Sequence, residues 1–393
     1  MSIKSGVLPS RSYQKINLPD GSQVAGHDRS YLNPLIFGDD FRGKTLLDIG
    51  TYHGFFCLEA MQRGASGAVG LDPCIESLET ARRVAASLQP SPIYVHADFE
   101  TWKSDEQFDV VLLLNVLHHM WDPIHALRKA ASTVRDRIVL ELHAPRQRDF
   151  TRKSSRFARI LGINDKTAIQ DPMLLMGRAE DAQHTFLFTP AAISTIFEKH
   201  YTCFEPVEIL QSPFKERVII RATKRKIDRL TIVAGATGSG KSSFIKQMKE
   251  SEEFRSKLGI PGPIDAVTDA ETCRNLPSGH LGHVVFSYDI LRPSRHATRS
   301  YSRETSLTLL LAARSINVLT LGMPRNFEQS LPNRSGLAGQ TLSTDANFLE
   351  RWQALWIEQI ARTKGVQQHL LVGNSGTDFT FKSLERVGSL KSP

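Results

Sequence analysis

The sequence predicts an α/β protein of two domains, each built on a largely parallel β-sheet. From residue 44 onward, short apolar runs alternate with helix-length segments, a pattern typical of parallel strands covered by helices. The alternation breaks at the charged segment KRKIDR, residues 224–229, and then begins again. A chain of 393 residues that is 40% apolar is long enough to form a core in each half. We therefore expect one domain over residues 1–224 and a second over residues 225–393.

Five apolar runs are expected to form parallel strands of the first domain. They are Thr45–Ile49, Gly67–Leu71, Ile93–His96, Asp109–Leu114 and Arg137–Leu142. The polar stretch before them contains a D-G turn signal, which predicts a short hairpin or arm laid over the domain, or a cap over its ligand. Near the end of the domain, Thr189 followed by Pro190 predicts the N-cap and first turn of a helix. The runs EPVEILQS and ERVIIRATK then predict an antiparallel pair of strands.

Another five runs are expected to form the sheet of the second domain. They are Leu230–Ala234, Ile264–Val267, His283–Tyr288, Asn317–Leu321 and His369–Val372. Helices are expected after Lys241, after Arg299 and after Asn347. Since no internal repeat links the two halves, we expect two different sheets.

Charge and cysteine content restrict the setting and the partners. Lys and Arg number 49 and Asp and Glu 41, a formal net charge of +8. This favours an acidic partner such as nucleic acid, nucleotide or anionic glycan, or else a solvated basic surface. The four cysteines (Cys57, Cys74, Cys203 and Cys273) lack C-x-x-C and metal-ligand spacing, which favours a reduced, cytoplasmic setting. No apolar run approaches the roughly 20 residues that cross a bilayer, and no signal-peptide core is seen, so we expect a soluble protein without a membrane span.

The segment TLLDIGTYHGFFCLE, Thr45–Glu59, predicts a strand, a glycine-bearing turn and a helix that together hold a nucleoside. Gly50 allows a tight turn and a close backbone approach, and Gly54 lets the following helix pack near the strand. A dinucleotide fingerprint needs glycines two and five positions after Gly50, where Tyr52 and Phe55 stand instead. A pyrophosphate could not come close, so an NAD site is disfavoured. A strand-glycine-helix turn without a ligand is the alternative.

Acidic and aromatic residues at the ends of the next strands are candidates for holding the nucleoside. Asp72, about 20 residues beyond the turn, is placed to accept hydrogen bonds from both ribose hydroxyls. Asp98 is a candidate for the adenine amino group and Phe99 for the face of its ring. Asn115 follows the fourth strand and is expected to reach the cleft. The alternative for Asp72 is a surface turn residue before Pro73, and for Phe99 a turn residue at the strand end.

Two adjacent histidines, His118 and His119, are expected at the start of the helix that follows Asn115. An imidazole titrates near neutrality, so one of them could be a general base. A packing or substrate-orienting role is the alternative. Asp48, at the end of the first strand, organises the turn or receives a charged group of the cofactor.

The first half of the chain resembles the class I S-adenosylmethionine (SAM) methyltransferases. The resemblance lies in KINLPDGSQVAGHDRS, FRGKTLLDIGTYHGFFCLEAMQRGA, VGLDP and FDVVLLLNVLHHMWDPIHAL, and extends to the branch that contains the tRNA wobble-uridine carboxymethyltransferase. It implies a Rossmann-like sheet and SAM contacts by Asp48, Gly50, Asp72 and Asp98, with the SAM ammonium as one partner for Asp48. The branch usually carries a Tyr-His pair where this chain has Leu117-His118, so tRNA, small molecules and sugars all stay open as acceptors.

The most specific motif in the chain is a phosphate-binding loop in the second half. GATGSGKS fits G-x-x-x-x-G-K-[ST] between an apolar strand and a helix. The expected phosphate and metal contacts come from Gly235, Gly238, Gly240, Lys241, Ser242 and Ser243. Lys241 is expected to reach the β- and γ-phosphate oxygens, and Ser242 to hold Mg²⁺.

An acid at the end of a neighbouring strand is expected to complete the metal site. Asp289 is the candidate, with Asp265 and Asp269 as rivals. The segment after it carries four arginines, one of which could clamp a transferring phosphate, although a solvated surface is the alternative. They are Arg292, Arg295, Arg299 and Arg303. By motif and strand order this half resembles the P-loop kinases.

Together these features predict a bifunctional enzyme that uses SAM, ATP and Mg²⁺ on a saccharide or small-metabolite acceptor. One alternative is an RNA-modifying enzyme in which the basic insertion at residues 146–159 grips RNA and the nucleotide domain is a switch or motor. Another is a methyltransferase whose second domain binds ATP only for regulation.

Overall fold

The computed structural model describes residues 11–17, 23–86, 88–143, 172–176, 186–214, 217–236, 238–270, 272–290, 308–322, 353–358, 360, 366–374 and 379–383. The chain divides into two compact units, Met1–Lys224 and Arg225–Pro393. Each unit has its own β-sheet and its own buried apolar core. No described helix has the length and apolar character needed to cross a membrane.

A small three-stranded sheet begins the first unit. Its strands are β1 (Arg11–Gln14), β2 (Ile16–Asn17) and β3 (Gln23–His27). The antiparallel pairing of β2 with β3 confirms the predicted hairpin, although its D-G turn lies outside the described residues. The side-chain oxygen of Gln14 accepts a hydrogen bond from the Phe55 amide at 3.4 Å, so this arm contacts the main domain where a helix begins.

The main sheet of the first unit contains seven strands. In chain order they are β4 (Thr45–Ile49), β5 (Gly67–Asp72), β6 (Ile93–His96), β7 (Phe108–Leu114) and β8 (Val134–His143), then, after a separate pair β9 (Leu174–Met176) and β10 (Phe186–Phe188), β11 (Glu208–Gln211) and β12 (Arg217–Thr223). Their order across the sheet is β11-β12-β8-β7-β4-β5-β6. All five predicted parallel strands and the antiparallel pair are confirmed, several of them longer than expected.

Helices cover this sheet, as the alternation in the sequence requires. They are α1 (Asn33–Phe37), α2 (Phe55–Gln62), α3 (Ile75–Ala85), α4 (Pro123–Thr133) and α5 (Pro190–His200). The Thr189 hydroxyl accepts from the Ala192 amide at 3.1 Å, which confirms the predicted N-cap of α5. Strand β4 is buried because it pairs with β5 on one side and β7 on the other. The chain reverses its direction across the sheet beside β4, and ligands of such sheets bind at that switch point.

The second unit has a six-stranded sheet of its own. Its strands are β13 (Lys226–Gly235), β14 (Ala266–Asp269), β15 (His280–Asp289), β16 (Ala313–Leu321), β17 (Val366–Asn374) and β18 (Phe379–Ser383), in the order β14-β15-β13-β16-β17-β18. All pairs are parallel except β17 with β18. Helix α6 (Lys241–Glu250) follows β13 as predicted, and α7 (Glu252–Lys257) follows α6.

Two predictions for this unit differ from the structure or lie beyond it. Strand β14 begins at Ala266 rather than Ile264. The Asp265 carboxylate accepts from the amides of Gly282 and His283 at 2.6 and 3.1 Å, so it fastens the loop before the strand. The helices expected after Arg299 and Asn347 start outside the described residues, although residues 353–358 are helical.

Candidate functional site

A cavity of about 930 Å³ opens at the carboxyl ends of the parallel strands of the first unit. Its wall contains most of the residues that the sequence singled out for a nucleoside site. Lining residues from the predicted set are Gly50, Asp72, Asp98, Phe99, Asn115, His118 and His119. The strand ends therefore bring these residues together, as the topology of an open parallel sheet predicts.

The turn after β4 is fixed by backbone geometry at Gly50. Its φ is +72°, and a Cβ there would lie 2.3 Å from Cγ1 of Val116. The amides of Gly50 and Thr51 both donate to the Leu71 carbonyl, at 2.8 and 2.9 Å, and thus tie the turn to β5. A larger residue at Gly50 would therefore push this turn away from the cavity wall.

Gly54 is needed for packing one turn further on. It adopts φ +81° and caps the N-terminus of α2. A Cβ on Gly54 would lie 2.2 Å from the hydroxyl oxygen of Tyr94, a buried residue of β6. Tyr94 is therefore the neighbour that requires a glycine at position 54. The sequence predicted close packing of the helix at this position but not this contact.

Asp72 ends β5 and stands in the cavity wall with only 8% of its surface exposed. One carboxylate oxygen accepts from the Tyr52 amide at 2.9 Å and the other from the Cys74 amide at 2.9 Å. Each carboxylate oxygen has two acceptor sites, so both can still accept from a ligand hydroxyl. The carboxylate is thus held in a fixed orientation beside the Gly50 turn.

Asp48 occupies a different position from the other predicted ligand residues. It is 1% exposed, is not part of the cavity wall, and accepts from the Thr51 hydroxyl at 2.8 Å. Burial raises the pKa of this carboxyl to about 7. The Asp48 carboxylate thus contacts the turn through Thr51, and its contact with a cofactor stays a prediction.

Asp98 and Phe99 follow β6 and both line the cavity. Asp98 accepts from the Glu100 amide at 2.8 Å, which fixes the turn after the strand. Phe99 is only 3% exposed, and the Lys129 ammonium lies 4.8 Å from the centre of its ring. The packing against Lys129 limits how much of this ring can stack on a ligand.

The two histidines lie in a single 3-10 turn, Leu117–His119, so the prediction that they begin a longer helix is wrong. A new helix, α4, starts afterwards, where the Asp122 carboxylate accepts from the His125 amide at 2.9 Å. His118 is 4% exposed, whereas His119 is exposed, and their ring centres are 4.0 Å apart. Both rings line the cavity, and His119 is the one accessible to solvent.

Asn115 is held in an unusual backbone conformation, with φ +61°. Its amide donates to the Glu141 carbonyl at 2.8 Å, and its side-chain amide donates to the Glu141 carboxylate. Positive φ in a residue other than glycine costs energy and persists where neighbours fix it. The fixing neighbour here is Glu141, at the end of β8.

Glu141 is the centre of a buried polar cluster that sequence reasoning missed. It is fully buried and accepts from the Arg29 guanidinium at 2.6 Å and the Tyr31 hydroxyl at 2.5 Å. Further donors are Ser212 at 3.1 Å and Arg217 at 3.4 Å. Burial, with the bond to Glu141, raises the pKa of the Tyr31 hydroxyl. The only sequence signal was an acid inside the apolar run IVLELH.

The glycine-rich loop of the second unit connects β13 to α6. Gly238 and Gly240 have φ +91° and +88°, and a Cβ on Gly235 would lie 2.4 Å from the Ser239 hydroxyl. The Lys241 ammonium donates to the carbonyls of Gly235 and Ala236, each at 2.7 Å. Ser242 and Ser243 are exposed in the first turn of α6. Thr237 of the motif lies outside the described residues.

Of the three candidate acids, Asp289 is the one beside this loop. It ends β15, pairs in register with Gly235, and its carboxylate lies 3.7 Å from the Lys241 ammonium. Asp269 accepts a hydrogen bond from the Thr272 amide at 2.9 Å and so stabilises the turn after β14. Asp265 stabilises the loop before β14 in the same way. The four candidate arginines, Arg292, Arg295, Arg299 and Arg303, lie outside the described residues.

Comparison with known proteins gives a family match for the first unit. Residues 29–200 match a family model described as a methyltransferase domain. The chain is 30% identical over 96 residues to a tRNA U34 carboxymethyltransferase of Campylobacter hominis, covering 24% of this chain and 34% of that protein. It is 32% identical over 99 residues to a ubiquinone biosynthesis O-methyltransferase of Neisseria meningitidis serogroup C, and the match covers 24% of this chain and 42% of that protein. The chain thus spans about a third to two-fifths of the length of these relatives.

Solved structures of methyltransferases also align with about half of the chain. Magnesium protoporphyrin IX methyltransferase of Synechocystis, solved with bound SAH (S-adenosylhomocysteine), is 18% identical, with 50% of this chain and 80% of that chain covered and a TM-score of 0.35. The N-methyltransferase NodS of Bradyrhizobium japonicum, in complex with SAH, is 13% identical, with 50% and 84% covered and a TM-score of 0.35.

Proposed function

We propose that residues 29–200, a class I methyltransferase domain, transfer a methyl group from SAM to a small-molecule or saccharide acceptor. The observation that carries this proposal is the position of Asp72. Its carboxylate is held by two backbone amides in the wall of the cavity, beside the Gly50 turn and at the switch point of the sheet.

The cavity residues fit the nucleoside part of SAM. Asp72 would accept hydrogen bonds from both ribose hydroxyls, and Gly50 lines the cavity beside it. Asp98 would accept from the adenine amino group, and the accessible part of Phe99 would contact the ring. Asp48, buried beneath the turn, supports this arrangement by keeping Thr51 in place.

Bound SAM supplies an electrophilic methyl group on a positively charged sulfur. The protein then has to orient the acceptor and remove its proton as the methyl group moves. His119, exposed in the cavity wall, is our candidate for the base, and Asn115, fixed by Glu141, for the orienting group. A volume of about 930 Å³ is within the range of small-molecule sites, which favours a small acceptor together with the cofactor.

Replacement of Asp72 tests the cofactor site. Asp72→Ala should weaken SAH binding to the full chain by about 100-fold, because two charge-assisted hydrogen bonds are lost. Isothermal calorimetry measures the affinity, and circular dichroism checks that the variant is folded. Asp72→Asn keeps the side-chain volume but only one acceptor oxygen, so it should also weaken SAH binding.

Asp40→Ala is the matched control, since Asp40 is an exposed surface acid that pairs only locally with Arg42. It should leave SAH affinity unchanged. A folded Asp72→Ala protein that binds SAH as tightly as the wild type would contradict the assignment.

For the second unit we propose Mg²⁺-dependent ATP binding and phosphoryl transfer. The specific observation in favour is the Lys241 ammonium, held on the carbonyls of the glycine loop 3.7 Å from the Asp289 carboxylate. Gly238 and Gly240 both adopt a positive φ, and turns of this kind can direct backbone amides toward a phosphate. A serine hydroxyl at 242 and one carboxylate are ligands suited to Mg²⁺, which keeps several waters and phosphate oxygens as its other ligands.

Calorimetry of the full chain with ATP, in Mg²⁺ and in EDTA, tests this second activity. We expect binding that requires Mg²⁺, and transfer of the γ-phosphate to an acceptor in a metabolite or glycan fraction. ATP binding without transfer to any fraction would favour the regulatory alternative. If a folded chain did not bind ATP, both the phosphoryl-transfer proposal and the regulatory alternative would be refuted.

A further inference from the structure

The wall of the methyltransferase cavity has two ends with opposite charge. Its acids, within the described part of the chain, are Asp72, Asp98 and Glu100, which follow β5 and β6. At the other end lie His143 and Arg217, from β8 and β12. The Tyr13 ring lies between the two ends, since its centre is 6.3 Å from that of the Tyr52 ring and 5.9 Å from the Arg217 guanidinium. Strands β5 and β12 are four strand spacings apart, about 19 Å. We call the second group, with Asn115, the acceptor end.

The acceptor end has an excess positive charge. Glu141 is one buried carboxylate, and it contacts two guanidinium groups, Arg29 at 2.6 Å and Arg217 at 3.4 Å. Arg29 is 2% exposed and has the short contact, so it is the main partner of Glu141. Among the described residues of this cluster (Glu141, Arg29 and Arg217), the cations therefore outnumber the carboxylates by one, and the partly exposed cation is Arg217.

Arg217 is placed to present that charge to a ligand. Its side chain is 23% exposed, lines the cavity, and begins β12 opposite His143 at the end of β8. The guanidinium lies 5.1 Å from the ring centre of Phe214 and 5.9 Å from that of Tyr13. These rings and Glu141 restrict its motion, and a restrained planar guanidinium is well suited to binding an oxyanion with two hydrogen bonds.

We propose that the methyl acceptor carries a carboxylate or phosphate group, which pairs with Arg217. The inference rests on the proposed methyl transfer and narrows its acceptor to anionic small molecules. The acids of the cavity lie at the cofactor end, so an anionic group at the acceptor end would meet no described carboxylate in the wall. Glu141 is a positioning residue in this account, because it fixes both Asn115 and Arg217.

The acceptor is identified by labelling. The full chain is incubated with methyl-labelled SAM and a fractionated metabolite pool, and the labelled product is applied to an anion exchanger at neutral pH. The proposal predicts that the product is retained. Loss of retention after phosphatase treatment would assign a phosphate, and persistence would assign a carboxylate.

Three results of this experiment count against the inference, and they differ in what else they refute. A labelled product that passes through the exchanger refutes the anionic acceptor but leaves methyl transfer standing. Label in RNA-sized material refutes the small acceptor. No label in any fraction, from a chain that binds SAH, refutes the proposed methyl transfer itself and the inference with it.

Variants of Arg217 separate recognition of the anion from a structural role. Arg217→Gln should raise KM for the identified acceptor by about 10- to 100-fold and leave KM for SAM within about twofold. Arg217→Lys should recover part of the lost acceptor affinity, since lysine keeps the positive charge but cannot make the two parallel hydrogen bonds of a guanidinium. Arg221→Gln is the control, on the same strand but paired with Glu208 on the surface. Equal KM values for the acceptor in wild type and a folded Arg217→Gln would overturn the proposal.

Discussion

Substituting alanine for Gly54 tests how tightly the turn between β4 and α2 is packed. The new residue would have to adopt φ +81°, which costs about 1 kcal/mol for a residue with a Cβ. Its Cβ would also lie 2.2 Å from the Tyr94 hydroxyl oxygen and 2.7 Å from Cζ of that ring, well inside any real contact. Forced overpacking of this kind costs about 1–3 kcal/mol, so we expect a total of about 2–4 kcal/mol.

Gly43 provides a control for the conformational part of this cost. It has φ +70°, and a Cβ there would have nothing within 4 Å. Gly43→Ala should therefore cost only about 1 kcal/mol. The difference between the two variants isolates the clash with Tyr94.

Thermal unfolding of the full chain, with and without SAH, measures both variants. We expect Gly54→Ala to melt about 5–10 °C below the wild type and to bind SAH more weakly, because the turn from Gly50 to Gly54 must shift. Tyr94→Phe in the Gly54→Ala background should recover part of the loss. If Gly54→Ala were no less stable than Gly43→Ala, the packing argument would be wrong.

Two further predictions concern the buried acid and the phosphate loop. Burial raises the pKa of Asp48 to about 7 from its ordinary value of 3.8, so the folded wild type loses stability as pH rises between these values. Asp48→Asn, which cannot ionise, should gain about 3 kcal/mol relative to the wild type between pH 5 and pH 8, and parallel pH profiles in chemical denaturation would contradict this. If the loop binds ATP as proposed, Lys241→Ala should weaken Mg²⁺-ATP binding at least about tenfold in calorimetry, because a cation that would pair with the phosphates is lost. Lys246→Ala, on the exposed surface of the same helix, should leave ATP affinity unchanged. An equal loss of ATP affinity in both variants would contradict the assignment of the glycine-rich loop as the ATP site.

Strands were predictable because the parallel sheet buries both of its faces. Runs such as Thr45–Ile49 and Asp109–Leu114 stand out as apolar, and the structure reproduces the first and extends the second by one residue. The start of β8 was not predictable, because Val134 follows helix α4 directly and the next residues are polar. Boundaries set by tertiary contacts leave little trace in a local pattern.

The wall of the candidate site was predictable where a residue ends a strand or lies within two positions of its end. Asp72 and Asp98 illustrate this, since position after a parallel strand determines which end of the sheet a side chain reaches. The 3-10 turn at His118 was missed, although the Asp122-Pro123 pair is a signal for a new helix start. Between Asn115 and the Asp122-Pro123 pair there are too few residues for a separate α-helix.

Long-range partners could not be found from the sequence. Arg29 and Glu141 are 112 positions apart, and Tyr31 and Glu141 are 110 apart. Nothing local in RSYQ or RVIIRAT marks Tyr13 or Arg217 as cavity residues. The acceptor end is assembled by the order of the strands, which brings β8 and β12 together beside the N-terminal arm.

A crystal structure of the full chain with SAH is the most direct test of the central claim. We predict that the adenosyl group lies at the cofactor end of the cavity, with both ribose hydroxyls donating to the Asp72 carboxylate and the sulfur directed toward the acceptor end. SAH bound at another place on the chain, or a ribose without contact to Asp72, would contradict the account.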